Sequence, residues 1–179
     1  MTQKRTAGRT KTLDVEPLDD TSFRFRLTLE DRSNLDGDED RIHSLLIEGV
    51  LTVPDLVIQS IEAVAIRQPY PECVVSLAPV KLLAGAKIGP GFRNRVLEVM
   101  GKTKGCTHFL TLALDLAAAH TLTTFLRMYQ TADYKMRDKG GNWMKAGLRV
   151  EPRLENACVA LQSGGRIMTL AHGQTDSDG

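Results

Sequence analysis

Aromatic residues are scarce in this chain, with one Trp, three Tyr and five Phe among 179 residues, so the core has to be built mainly from aliphatic side chains. Charge of one sign is not in excess either. The 23 basic and 22 acidic residues leave a formal net charge of +1, which argues against a nucleic-acid partner, because phosphates require a basic surface. Long apolar runs are missing. The longest, Phe109 to Ala119, is broken by Thr111 and Asp115 and falls short of the ~20 residues that span a bilayer. No apolar segment follows the early charges Lys4, Arg5, Arg9 and Lys11, so no secretory signal is read and no membrane partner is expected. Cysteines number three, Cys73, Cys106 and Cys158, without paired spacing. That usage fits a reducing compartment, the cytoplasm, better than a disulfide framework.

Several motifs are absent as well. Asp36, Asp38 and Asp40 imitate the start of a calcium loop, but Arg41 stands where that loop needs Gly and Ile47 where it needs Glu. Gly85, Gly89 and Gly91 lack the dinucleotide spacing and do not directly follow a strand. There is no Cys-x-x-Cys or His-Glu-x-x-His pair, hence no local zinc signature.

What remains is a globular composition, 42% hydrophobic and 25% charged, at a length that suits one domain. The expected organisation is a single domain over residues 23–171 between disordered tails, 1–22 and 172–179. Phe23, Phe25, Leu27 and Leu29 alternate with polar residues, which predicts a half-buried strand. An acidic loop over 34–40 follows. Ile42 to Val53 and Leu56 to Ile66 then read as an antiparallel hairpin about Pro54-Asp55. Beyond the Pro69-Tyr70-Pro71 stretch the period becomes helical over Val74 to Ala84, with Gly85 as its stop. A second helix is predicted over Phe92 to Met100, with Phe92, Val96, Val99 and Met100 inward. A long, largely buried helix is predicted from about Thr107 to Gln130, then a polar connection over 131–147. A terminal hairpin, 156–161 with 166–170, closes the chain. The class is α+β: an antiparallel sheet of about four to six strands packed on a long central helix with shorter helices.

The candidate functional residues are polar groups inside apolar segments. His43 shares a strand face with Leu45 and Ile47. It is either a histidine satisfied by a backbone carbonyl or a general base aimed into a pocket, since an imidazole titrates near neutral pH. Cys106 and His108, in Gly105-Cys106-Thr107-His108, open the long helix, where unsatisfied N–H groups favour thiolate and anions. If both were helical they would diverge by about 200°, so Cys106 must precede the first turn for the two to share a site. Asp115 lies on the same helix face as His108, roughly 10 Å further along the axis. It either lines the same cavity or pairs with an arginine from another element. Arg67, Tyr70 and Cys73 lie in a stiff, proline-bearing stretch that is either a loop covering the core edge or a holder of a guanidinium and a phenol for a substrate carboxylate or carbonyl.

The segments Pro69-Tyr70-Pro71-Glu72-Cys73, Gly89-Pro90-Gly91-Phe92, Gly105-Cys106-Thr107-His108 and Asn156-Ala157-Cys158, with His43 before its apolar strand, resemble a bacterial family of proteins of unknown function, DUF2889. The likeness spans about Phe23 to Leu170. Two residues before the last cysteine the family often carries an acidic residue, where this chain has Asn156, and that weakens a ligand role there. The resemblance implies an association with bacterial catabolism of aromatic and acyl compounds.

Three functions are therefore carried forward. The first is a cofactor-independent enzyme, a lyase or isomerase acting on a small aromatic or carboxylic substrate. Its acid/base groups are His43 and His108 with Tyr70, and its substrate contacts are Arg67, Cys106 and Asp115. The second is a zinc or iron–sulfur protein using Cys73, Cys106, His108 and Cys158. The third is a non-catalytic ligand- or partner-binding module. Homo-oligomerisation stays open in all three.

Overall fold

The computed structural model describes residues 5–133, 135 and 141–173. The chain divides into two compact units, Met1–His120 and Thr121–Gly179.

The first unit is built on a four-stranded antiparallel sheet in the order β1-β2-β3-β4, with β1 at Arg5–Pro17, β2 at Ser22–Leu35, β3 at Asp38–Thr52 and β4 at Ile58–Arg67. The alternation in β2 works as anticipated: Phe23, Phe25, Leu27 and Leu29 are all fully buried, with Leu45, Ile47 and Leu51 beside them on β3. Two of the sheet's features differ from expectation. The tail expected over 1–22 is in large part β1, paired with β2 along its whole length. Its apolar signal is confined to Leu13 and Val15, so periodicity alone does not reveal it. It is held by the hydrogen-bond ladder and by cross-strand polar pairs such as Thr12 with Thr28, 2.7 Å apart. The acidic loop over 34–40 shrinks to two residues, because Leu35 pairs with Asp38. Asp36 and Gly37 both take positive φ, 60° and 100°, as a tight hairpin turn matched to strand twist requires.

Helices cover the apolar face. The stretch expected to be helical over 74–84 is a 3-10 segment, Pro71–Leu77, running into a short α1, Ala78–Lys81. Helix α2, Phe92–Met100, buries the four side chains its spacing singled out. Helix α3, Thr107–Asp115, is followed by one 3-10 turn and by α4, Ala119–Tyr129. Together they make a 23-residue helical stretch that is only partly buried. Phe109, Leu112 and Ala113 of α3 are buried, and α3 packs on β2 and β3.

The second unit holds the rest of α4, with α5 at Asn142–Val150 and α6 at Arg166–Ala171. Trp143, expected in a polar connection, is a buried residue of α5 and lies edge-on to Phe125 and Tyr129. The expected terminal hairpin is instead a 3-10 turn, Val159–Leu161, and α6. Met168 and Ala171 are the buried pair of α6, three residues apart, which is a helical spacing and not a strand's. Of the expected tail 172–179, residues 174–179 lie outside the described residues.

Candidate functional site

The sheet register carries the first step of the site. Arg9 of β1 stands opposite Asp31 of β2, and Asp31 stands opposite His43 of β3. Three polar residues thus form one row across three strands. Because side chains alternate across a strand, the row points to the same face as Leu29 and Leu45. The β2–β3 register shifts just beyond it, between Asp31 and Arg32. Such bulges often accompany functional sites, where they re-aim a side chain.

Asp31 is 8% exposed, and a carboxylate this buried needs partners. Arg9 grips it with both arms of the guanidinium, Nε to Oδ1 at 2.6 Å and Nη2 to Oδ2 at 2.7 Å. His43 Nδ1 reaches Oδ2 at 2.9 Å. The Arg9 hydrogen bonds hold the Asp31 carboxyl below the usual carboxylate range, against the opposing effect of burial, with Arg9's charge and His43 adding to the lowering. Reciprocally, the hydrogen bond to Asp31 raises Arg9 above its ordinary value. An ionised carboxylate only accepts. His43 Nδ1 must therefore carry a proton and donate it, which leaves Nε2 as the nitrogen able to exchange a proton with a bound compound.

The second step comes from the start of α3. Cys106 is the N-cap, extended at φ −86° and ψ 135°, so it precedes the first turn, the condition under which Cys106 and His108 share a site. Its Sγ lies 3.2 Å from His108 Nδ1 and accepts the His108 backbone N–H at 3.4 Å. The other nitrogen of His108, Nε2, stands 3.7 Å from Asp31 Oδ2. The rings of His43 and His108 pack with centroids 4.0 Å apart. Burial lowers the His108 pKa, with the charges of His43 and Arg9 adding to the effect and Asp31 opposing it.

Both histidines and Cys106 line an open recess of about 820 Å³, together with Tyr70, Cys73 and Val75. The whole recess belongs to the first unit. Its one lysine or arginine is Lys104, whose ammonium donates to the Glu98 carbonyl at 2.8 Å.

The remaining sequence candidates separate from this cluster. Arg67 donates to the Arg41 carbonyl and pairs with Asp40 at 3.0 Å, and it does not line the recess. Asp115 forms an ion pair with Lys11 of β1. That is the structural alternative with a lysine in place of an arginine, and Asp115 also stays outside the recess. Of the expected metal set, Cys73, Cys106 and His108 line the recess. Cys158 is exposed and belongs to the second unit. Asn156 clamps its own loop, accepting the Ser163 N–H at 2.9 Å and donating to Ser163 Oγ at 2.8 Å.

Among the described residues the group whose ligand atoms converge is Asp31, His43 and His108, all within 4.8 Å of one another. Two imidazoles and a carboxylate suit a divalent transition metal by type. Their partners do not. Both oxygens of Asp31 already accept from Arg9, and Oδ2 also accepts from His43. A cation would have to displace the hydrogen bonds to Oδ2 and sit beside a fixed guanidinium charge. The contacts present form a hydrogen-bonded chain from Arg9 through Asp31 to His43.

Arg9 and Asp31 are the members that sequence reading missed. Asp31 had a signal, since it occupies the next inward position after Phe23, Phe25, Leu27 and Leu29. Arg9 had none beyond its place in a basic stretch.

No curated protein and no solved structure matches the chain. A family model does match, over residues 7–122. That span contains Arg9, Asp31, His43, Cys106, His108 and the recess they line, and by it the chain belongs to the family described as protein of unknown function DUF2889.

Proposed function

We propose that the protein is an enzyme that moves protons on a small, largely apolar carbonyl compound bound in the recess, a lyase or isomerase of the cytoplasm that uses no organic cofactor. The observation that carries this reading is the Arg9–Asp31–His43 row. Arg9 keeps Asp31 ionised, Asp31 fixes the tautomer and direction of His43, and Nε2 of His43 is left as the base. Neutral His108 beside it offers a second site for the proton in transit. Tyr70, on the recess wall, supplies a phenol to hydrogen-bond a substrate oxygen.

Proton exchange with solvent tests this whatever the product is. The protein is incubated in deuterium oxide with a panel of small aryl and alkyl carbonyl compounds, and carbon-bound hydrogen exchange is followed by NMR. The wild-type protein should catalyse exchange in at least one compound. His43→Gln should slow that exchange by ~10²–10⁴-fold, the span expected for a positioned proton-transfer group, while the protein stays folded. Exchange equal in wild type and His43→Gln would refute the reading. Binding without exchange would favour a non-catalytic ligand-binding module.

A further inference from the structure

The proton-transfer reading uses His43 and leaves Cys106 without a task. We infer that Cys106 is a covalent nucleophile, activated by His108, that adds reversibly to the β-carbon of an uncharged, conjugated carbonyl compound and so isomerises its double bond. This deepens the proposed function and rests on the recess being the substrate site.

Four features support it. The Cys106 thiol has a base within reach, His108 Nδ1 at 3.2 Å, the nucleophile–base contact that covalent catalysis needs. Its sulfur accepts a backbone N–H at the opening of α3, and a helix N-terminus stabilises the thiolate. An imidazolium formed on His108 would have the Asp31 carboxylate near its far nitrogen, 3.7 Å away. The recess lining carries no net positive charge for a carboxylate substrate: its one cation, Lys104, which donates to the Glu98 carbonyl, is matched by the carboxylate of Glu72, and Arg9 is committed to Asp31. An uncharged carbonyl therefore fits better than an acid. A soft thiolate also prefers the soft β-carbon of a conjugated system to the carbonyl carbon.

The step balances without a co-reactant. The thiol proton passes to His108 Nδ1, and the sulfur lone pair forms the S–C bond at the β-carbon. The π pair of the C=C bond shifts to make an enolate, whose oxygen can take the N–H of Thr107, which lines the recess in the first turn of α3 and donates to no acceptor among the described residues. The former double bond, now single, rotates. The enolate pair then restores the C=C bond and expels the thiolate, which recovers its proton.

The experiment begins with the wild-type chain and iodoacetamide at neutral pH, with the three cysteines resolved by peptide mass spectrometry. Cys158 is exposed and Cys106 only partly so, so access alone would favour Cys158. Cys106 should nonetheless alkylate at least about tenfold faster than Cys158 and Cys73, because the thiolate is the reacting form. His108→Gln should bring Cys106 down to the rate of the other two, with circular dichroism showing retained fold. The Z isomer of 4-phenyl-3-buten-2-one should be converted to the E isomer by wild type and not by Cys106→Ser, and it should slow alkylation at Cys106 alone. Alkylation of Cys106 no faster than Cys158, or unaffected by His108→Gln in the folded variant, overturns the nucleophile. Fast, His108-dependent alkylation with neither isomerisation nor protection overturns the substrate class. Failure of the proton-transfer reading is seen separately, as deuterium exchange that His43→Gln does not alter while Cys106 keeps its reactivity.

Discussion

At the scale of single residues, the site turns on one buried carboxylate. Asp31 accepts three hydrogen bonds, two from Arg9 and one from His43. Removing Arg9 leaves a buried charge with His43 as its single hydrogen-bond partner, and hydrogen bonds to charged groups contribute about 1.5–3 kcal/mol each. The Arg9 side chain is 40% exposed, so water takes over part of its role and the net loss is smaller than that sum. Arg9→Met should therefore destabilise by about 1–3 kcal/mol, read as a lower urea midpoint at unchanged m. A variant as stable as wild type would show that the pair orients His43 without holding the sheet. Legibility at this scale was uneven. His43, Cys106, His108 and Tyr70 stood out as polar residues at marked positions, and the recess gathers them. Arg67 and Asp115 stood out on the same grounds and are held by Asp40 and Lys11 instead. A sequence shows that a charge is out of place without showing which neighbour answers it.

At the scale of elements, local pattern sufficed where one face of the element is apolar and failed where pairing supplied the order. Strand β2 and helix α2 have clean faces, and their buried residues follow the expected period. Strand β1 is exposed along nearly its whole length, so no periodicity announces it, yet it contributes Arg9 to the site. Helix α6 gives no distinct signal, because a six-residue stretch is too short to separate period two from period 3.6. The sheet beneath the site also depends on a close approach invisible in sequence. A Cβ on Gly49 would lie 2.0 Å from the Ser60 carbonyl oxygen and 2.7 Å from the Phe25 ring. Gly49→Ala should force β3 and β4 apart and cost about 1–3 kcal/mol, the usual range for overpacking a core. Thermal denaturation followed by circular dichroism checks it, and an unchanged Tm would mean that β4 yields freely at this position.

For the whole molecule, the cluster makes stability depend on pH in one direction. Asp31 has a depressed folded pKa, so its contribution is present above the unfolded carboxylate value, near 3.8, and is lost as pH falls through the lower folded value. His108 is also depressed, by burial first and by the charges of His43 and Arg9 next. For a histidine this means that the folded state disfavours the proton the unfolded chain takes up near 6.5. Above that pH neither state is protonated and no stability is lost. Below it the unfolded state binds more protons, and stability declines. Both groups therefore act together on acidification, in two separate windows, His108 first as pH drops below the ordinary histidine range and Asp31 further down. His108→Gln removes only the first. Melting temperatures measured from pH 8 to pH 5 should fall for the wild-type chain and fall less steeply for His108→Gln, with the two curves converging in slope above pH 7. Parallel curves across the whole range would place His108 in a solvated setting, inconsistent with its packing on His43 and with a neutral ring ready to take the Cys106 proton.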